Sequence, residues 1–527
     1  MQLDVLSPLN AQRRDGLLKL ASLGASLGLC ALAGCAAPAV VRHVGDNETD
    51  HFALGVASGS PRPDRLVLWT RLMGDALPPA VEVEWEVATD AAFKQRVAHG
   101  IDNAIAAWAH SIHAEPRGLA PGRWYFYRFH ALGQTSPVGR TRTAPAPEAR
   151  AELDFVIASC QRWDHGHYAA WRHVAEENLD LVLFLGDYIY ESAPVASRVR
   201  MHEGQGAART LLQYRARYAQ YKSDPALQAA HACAPWIVTW DDHEVDNDYA
   251  GEVSMMGDTH FLARRAAAYQ AYWEHQPLPK VLRPTGASMQ LYERYDWGAL
   301  ARIHTLDDRQ YRDPQACPRP GRRGGSNTVL ARDCAAIDQP QRSLLGAAQE
   351  HWLSEGWSLD RPWNLLAQQT LMARWTQRNP TDPGGRSVWT DGWDGYPAAR
   401  RRLLGEVAER KVPGCVVLGG DVHATYVADL RPDFDAPRSP VVATEFCGTS
   451  ITTSEGLAQA KVDAALPFNP HVRYARSDER GYVRFHLGER SVEAQIRSVH
   501  NVLDPESNIR TAARFTVASD RPGAQPV

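Results

Sequence analysis

The chain has 527 residues, 44% of them hydrophobic and 22% charged, a balance that supports a buried core and excludes global disorder. Its 57 Lys+Arg against 61 Asp+Glu leave a net charge of -4, which carries no electrostatic footprint for nucleic acid. The length predicts two or three domains, the single apolar run near membrane length, at the start, excludes a polytopic membrane protein, and eight cysteines are too few for a disulfide-built scaffold.

Arg13-Arg14 precede a small-residue apolar run from Leu17 to Ala33, broken by Lys19 and ending in Leu32-Ala33-Gly34-Cys35. A basic head, an apolar middle and a small-residue cleavage point read as a secretory signal over residues 1–35 rather than a spanning helix. The paired arginines resemble a twin-arginine export signal, from which Gly16 departs. Leu-Ala-Gly-Cys resembles a bacterial lipobox, which predicts Cys35 as a lipidated first residue and an exported protein anchored at the periplasm or cell envelope. The competing reading is simple cleavage with an incidental cysteine.

Residues 50–145 read as short strands between turns. Leu66 to Trp69, Val81 to Val87 and Trp124 to Phe129 are rich in aromatic and β-branched residues, with turn signals at Ser60-Pro61, Leu77-Pro78-Pro79 and Pro121-Gly122. This predicts a small N-terminal β-sandwich, followed by a linker at Ala144-Pro145-Ala146-Pro147. From residue 150 the pattern changes to α/β. A strand from Asp154 to Ala158, a helix from Tyr168 to Glu177 and a strand from Leu181 to Leu185 make a βαβ unit with parallel neighbouring strands. Further strands are predicted at Trp236 to Trp240, Ala301 to Leu306, Leu365 to Ala367, Val416 to Gly419 and Val441 to Thr444. The catalytic domain is expected over 150–510, and 515–527, rich in Pro and Gly, as a loose tail.

The informative observation is what these strands end in. The first runs out into Ser159-Cys160-Gln161-Arg162 and the second into Gly186-Asp187-Tyr188-Ile189-Tyr190-Glu191. Later ones give Asp241-Asp242-His243-Glu244 with Asn247 close behind, Asp307-Asp308-Arg309, and Gly420-Asp421-Val422-His423. Open α/β sheets bind ligands beyond the carboxyl ends of their strands. Singly, each acid is as well explained as a turn former and Cys160 as a buried small hydrophobe; five such endings together point to a metal site facing an anion. His165, His167, His202 and His231 lack this placement and are expected in loops or at the surface. No paired C-x-x-C motif supports structural zinc. A thiolate and a phenolate, Cys160 and Tyr190, suit trivalent iron, whereas carboxylates and the Asn247 amide suit calcium, magnesium or manganese. Asp187, between both sets, is placed to bridge two ions.

These motifs resemble the alkaline phosphatase D (PhoD) family over nearly all of the mature chain. The likeness is carried by Phe52 to Ser60, Val67 to Leu72, Ala158 to Gln161, Gly186 to Glu191, Trp240 to Glu244, Asp308 to Tyr311, Trp393 to Pro397, Gly420 to His423 and Glu445-Phe446. The resemblance implies a calcineurin-like metallophosphoesterase sandwich, with mixed sheets flanked by helices. It also implies hydrolysis of phosphate mono- or diesters outside the cytoplasm at a ferric and calcium centre, by a metal-bound hydroxide. By motif, Cys160, Asp187, Tyr190, Asp242, Asn247, Asp421 and His423 fall on metal-ligand positions, with Asp241 competing for the place of Asp242. His243 and Arg309 fall near the phosphate. Asn247-Asp248 departs from the asparagine pair often found in the family, which puts the Asn247 ligand in question.

Cys317 and Cys334 bracket an Arg/Gly-rich segment and are expected to form a disulfide; Cys233, Cys415 and Cys447 read as packing residues. Of the sixteen tryptophans, Trp389 and Trp393 are the candidates for a pocket wall. Two other functions compete with the phosphatase: a phospholipase-D-like phosphodiesterase on lipids, and a lipoprotein that binds phosphate or metal without turnover.

Overall fold

The computed structural model describes residues 49–195, 199–436 and 438–527; the expected signal and Cys35 lie outside the described residues. Eight short strands come first: β1 (Val56–Gly59), β2 (Val67–Arg71), β3 (Ala80–Ala88), β4 (Arg96–Ile105), β5 (Ser111–Ala114), β6 (Trp124–Ala131), β7 (Gln134–Thr135) and β8 (Gly139–Arg142). The catalytic region opens with β9 (Leu153–Ala158), α1 (Ala169–Glu176) and β10 (Leu181–Leu185), continues through α2 (Leu211–Lys222) and α3 (Pro225–Cys233) to β11 (Trp236–Thr239), and reaches α4 (Phe261–His275). A second group follows: β12 (Glu293–Trp297), β13 (Ala301–Thr305), β14 (Thr328–Leu330), α5 (Gly346–Gly356), β15 (Trp363–Ala367), β16 (Ser387–Trp389), α6 (Pro397–Glu409), β17 (Cys415–Gly419), β18 (Thr425–Leu430), β19 (Ala443–Cys447), α7 (Gln459–Ala465) and β20 (Val472–Arg476). The chain closes with β21 (Arg480–Leu487), β22 (Ser491–Val499), β23 (Ile509–Ala518) and β24 (Arg521–Pro526).

Two sheets face each other. One runs β24-β23-β22-β21-β9-β10-β11-β1-β2-β5, and the other β12-β13-β15-β17-β19-β18-β20. β9, β10 and β11 are parallel, as are β13, β15, β17 and β19. Because strand side chains alternate faces, Phe155 and Ile157 point into the core between the sheets with Leu183, Leu365, Val416 and Phe446. Val156 and Ala158 point outward, under α1 to α4, with Val182 and Phe184. On the far side Leu366 and Val417 lie beneath α5 and α6 with Leu353 and Leu403. Burial on both faces explains why strands such as Leu181–Leu185 are uninterrupted apolar runs. The expected sandwich of mixed sheets and flanking helices is what forms.

Two boundaries differ from expectation. The N-terminal region is a sandwich whose β3, β4, β6, β7 and β8 layer packs on β1, β2 and β5, but that second layer continues the catalytic sheet through the pair Gly59↔Trp236. A Cβ at Gly59 would lie 2.6 Å from the Pro277 carbonyl oxygen, so only glycine permits the join. Across it, the Trp69 indole donates to Glu274 O at 3.0 Å, and the His113 ring stacks on Trp273 at 3.8 Å. The Ala144 to Pro147 segment is packed as well, with Ala144 buried. The tail expected to be loose is instead β23 and β24, the outermost pair of the large sheet. Phe515, Val517 and Ala524 bury against the central core, and Pro522 and Pro526 are tolerated because β24 is an edge.

Candidate metal centre

Both parallel sets end at the same place. Thr239 donates to Leu306 O at 3.0 Å and accepts from Gln369 at 2.7 Å, which brings the end of β11 against the ends of β13 and β15. Two glycines allow the approach. A Cβ on Gly186 (φ +109°) would lie 2.5 Å from Asp241 Cβ, and one on Gly420 would lie 2.4 Å from the Ser159 hydroxyl. This is why two of the ligand loops begin Gly-Asp. Cys160, Asp187, Asp248, Asp421 and His423 all adopt left-handed φ, between +54° and +64°, a cost that packing tolerates at functional sites.

Three donor groups converge, each with its ligand atoms within 4.8 Å of one another: Cys160, Asp187 and His423; Asp187, Asp242 and His243; and Asp242, Asp248 and Asp391. Asp187 belongs to two of them. Tyr190 closes the first group: its hydroxyl donates to Asp187 at 2.7 Å, lies 3.3 Å from His423 Nε2 and accepts from Thr453 at 2.8 Å. Solvent reaches the centre on the side of His243, Asp421 and His423, whereas Cys160, Asp187, Asp242 and Tyr190 are buried.

The electrostatics call for cations. Burial, reinforced by neighbouring acids, pushes the Asp187 and Asp421 carboxyls well above the usual range, and burial with the nearby Asp187 charge pushes the Cys160 thiol and the Tyr190 phenol up too. Burial and the nearby His243 charge hold His423 down at about 3, neutral and free to ligate. One oxygen each of Asp187, Asp241, Asp308 and Asp421 is buried without a hydrogen-bond partner, a state that native interiors avoid. A thiol, a phenol, imidazoles and orphaned carboxylate oxygens around one point fit metal ions of both kinds expected, soft–anionic and hard.

Several site residues take roles different from those expected. Arg309 does not face an open anion pocket. It is 1% exposed, bound to Asp241 at 2.5 Å and to Asp391 at 2.7 Å, with only Nη2 left near Asp242 and Asp421, 3.8 Å from each. Asp241 is a counterion of Arg309 and keeps one oxygen unpartnered, and Asp242 stands among the convergent donors. The Asn247 amide is turned toward Met255 Sδ, 3.8 Å away, and Asp248 stands in the donor group instead. Asp308 has one orphaned oxygen and burial lifts its carboxyl to about 7. His165, His202 and His231 are buried rather than superficial, bonded to Ser454, Tyr221 and Tyr188. Trp393 is core, its indole donating to Gln368. Cys317 and Cys334 are bonded, 6.1 Å apart at Cα.

Four residues that the sequence left unassigned also build the centre. Glu244 accepts the backbone N–H groups of Asp187, Tyr188 and Asp241 at 2.6–3.1 Å and so clamps two ligand loops together. Asp391 neutralises Arg309 and Arg312. It follows the three-residue β16, a strand too short to reveal by periodicity that another acid sits at a strand end. Thr453 reaches in from the loop after β19. Glu191 bonds His243 Nδ1 at 2.7 Å and accepts the Asn247 N–H at 3.0 Å, so His243 presents Nε2 to the centre, and the Glu191 and Asp242 charges hold its imidazolium despite burial. Glu191→Gln is expected to lower kcat roughly 10- to 100-fold with KM little changed, the usual size for a partner that orients an active imidazole; an unchanged kcat in steady-state kinetics removes Glu191 from this role.

Comparisons with known proteins agree with this geometry. A family model described as PhoD-like phosphatase matches residues 155–496, and one described as PhoD-like phosphatase, N-terminal domain, matches residues 36–145. The chain is 43% identical over 494 residues to alkaline phosphatase D of Bacillus subtilis (strain 168), covering 90% of this chain and 82% of that protein. A solved structure titled "Structure of PhoD" superposes with a TM-score of 0.86 at 42% identity, over 91% of this chain and 93% of that one. A purple acid phosphatase from yellow lupin (Lupinus luteus) seeds shares the fold, with a TM-score of 0.56 at 12% identity over 88% of this chain and 74% of that one. This chain therefore belongs to the PhoD-like phosphatase family.

Proposed function

We propose that this phosphatase hydrolyses phosphate mono- or diesters outside the cytoplasm, at a centre in which Cys160, Asp187, Tyr190, Asp242, Asp421 and His423 hold ferric and calcium ions. The observation that carries the reading is Asp187, shared by two donor groups and left with one buried oxygen unpartnered. The thiol–phenol side, Cys160 and Tyr190, suits the ferric ion, and the carboxylates around Asp242 suit calcium. Bound there, the ions would supply Lewis-acid activation of water and neutralise charge on the phosphoryl oxygens. His243, reached by solvent and fixed by Glu191, is placed to donate a proton to the leaving ester oxygen. Arg309 holds Asp241 and Asp391 in place and offers Nη2 toward the side where Asp242 and Asp421 meet. Export as a lipoprotein rests on the signal-like first 35 residues, and a bonded cysteine pair suits an oxidising compartment.

The test is to recover the native protein from the cell envelope, measure its metals and compare hydrolysis of p-nitrophenyl phosphate with that of its bis ester. Co-purifying iron and calcium, with turnover of at least one ester that a chelator abolishes, is the expected outcome. Turnover that survives complete metal removal would overturn it.

A further inference from the structure

The segment between Cys317 and Cys334 is built onto the acidic side of the centre. The Ser326 N–H donates to Asp248 Oδ2 at 2.9 Å, and the Asp248 N–H in turn donates to Asp242 Oδ2 at 2.6 Å. Gln315 bonds both Asp248 O (2.8 Å) and Asp391 (2.6 Å) and accepts the Gly325 N–H at 3.0 Å. Thr328–Leu330 pairs with Ser387–Trp389, and the disulfide closes the far end. The loop is therefore fixed directly to one donor residue, Asp248, and through it to Asp242.

Its tip carries Arg322 and Arg323. Arg322 Nη1 lies 3.0 Å from Met255 Sδ, the same sulfur that the Asn247 amide approaches at 3.8 Å. Arg323 lies across Gly257, where a Cβ would meet its Cδ at 2.7 Å. Neither guanidinium has a carboxylate partner among the described residues, and Asp258, beside Gly257, is taken by Arg209 at 3.0 Å. Arg309 and Arg312, deeper in the centre, are by contrast spent on acids. Two unspent, forked donors on a braced loop next to an anion-processing site suit recognition of a phosphate or similar oxyanion.

We infer that the disulfide-braced loop is an anion subsite, in which Arg322 and Arg323 take a second anionic group of the substrate. The inference rests on the phosphatase reading and adds a substrate class: phosphate esters that carry another phosphate or comparable anion near the scissile one. A singly charged diester gains nothing from the loop, while a substrate with two phosphates is anchored at both ends.

Equilibrium binding tests this without turnover. Propylphosphonate and propane-1,3-bisphosphonate, whose C–P bonds are not cleaved, are titrated calorimetrically into the full-length metal-loaded protein. The bisphosphonate is expected to bind about tenfold more tightly than the monophosphonate. Arg322→Ala/Arg323→Ala should reduce that ratio to near one, and Arg322→Lys/Arg323→Lys should keep an intermediate ratio, because lysine retains the charge and loses the forked geometry. Cys317→Ser/Cys334→Ser should reduce it in part by releasing the loop, and raising salt should shrink it for the wild type. Equal affinity for the two ligands in the wild type, or a ratio that the double alanine variant leaves intact, overturns the inference. Hydrolysis of p-nitrophenyl phosphate by the same preparation tests the phosphatase reading separately.

Discussion

Asp187→Asn is expected to lower kcat/KM at least roughly 1000-fold while leaving the fold intact. Asparagine keeps the size of the side chain and is, after glycine, among the residues that best tolerate the left-handed φ of +59° found here. What it removes is the carboxylate that links the Cys160–His423 group to the Asp242–His243 group. Because burial and neighbouring acids disfavour the Asp187 charge in the absence of cations, the metal-free variant should be at least as stable as the metal-free parent. Activity and stability therefore move in opposite directions, as they do where function demands a destabilised group. Kinetics, metal content and thermal unfolding of the variant check all three points; full activity in a metal-loaded Asp187→Asn protein would sink the assignment.

Metal removal should make stability fall as pH rises. Burial pushes Asp241 to about 6 against the opposing Arg309 charge, and burial together with Asp391 pushes Asp248 to about 6. Burial likewise raises Asp308 to about 7, and raises Glu244 to about 8 in spite of its backbone donors. A carboxyl whose pKa is higher folded than unfolded contributes fully below its unfolded value, near 4, and that contribution is lost as pH climbs through the folded value. For the chelated protein the loss should run from about pH 4 to about pH 8. Bound cations favour the ionised carboxylates, so the metal-loaded protein should hold its stability over the same range. Denaturant titrations at pH 5 and pH 8, with and without chelator, measure the difference; a chelated protein equally stable at both would contradict this account.

The layers and the placement of the centre were legible because both are written in periodicity. Uninterrupted apolar runs such as Leu181–Leu185 predict strands buried on both faces, and the acids that follow them fall at carboxyl ends by construction. That rule brings Cys160, Asp187, Asp421 and His423 to one end of the sheets, and their reading as ligands rests on the family resemblance as well. Partnership was not legible. Whether Asp241 or Asp242 faces the ions depends on which of them Arg309 captures, and Arg309 comes from another sheet 67 residues after Asp242. The turning of Asn247 toward Met255 and the anchoring of His243 by Glu191 are likewise long-range. Asp391 escaped because its strand is three residues long, and the closing strands β21 to β24 because polar and Pro/Gly positions break their apolar pattern where one face meets solvent.

The join at Gly59 has a thermodynamic consequence. Two family models divide the chain near residue 150, yet the sheet runs through that division, and Trp69, His113, Trp273 and Glu274 cross it in the interior. Neither part can lose its native structure without exposing apolar surface and unpaired backbone of the other. The described chain from residue 49 onward thus has two parts by family resemblance and one cooperative unit by energetics, and the N-terminal sandwich acts as the permanent cover of a catalytic sheet edge rather than as an appendage to it.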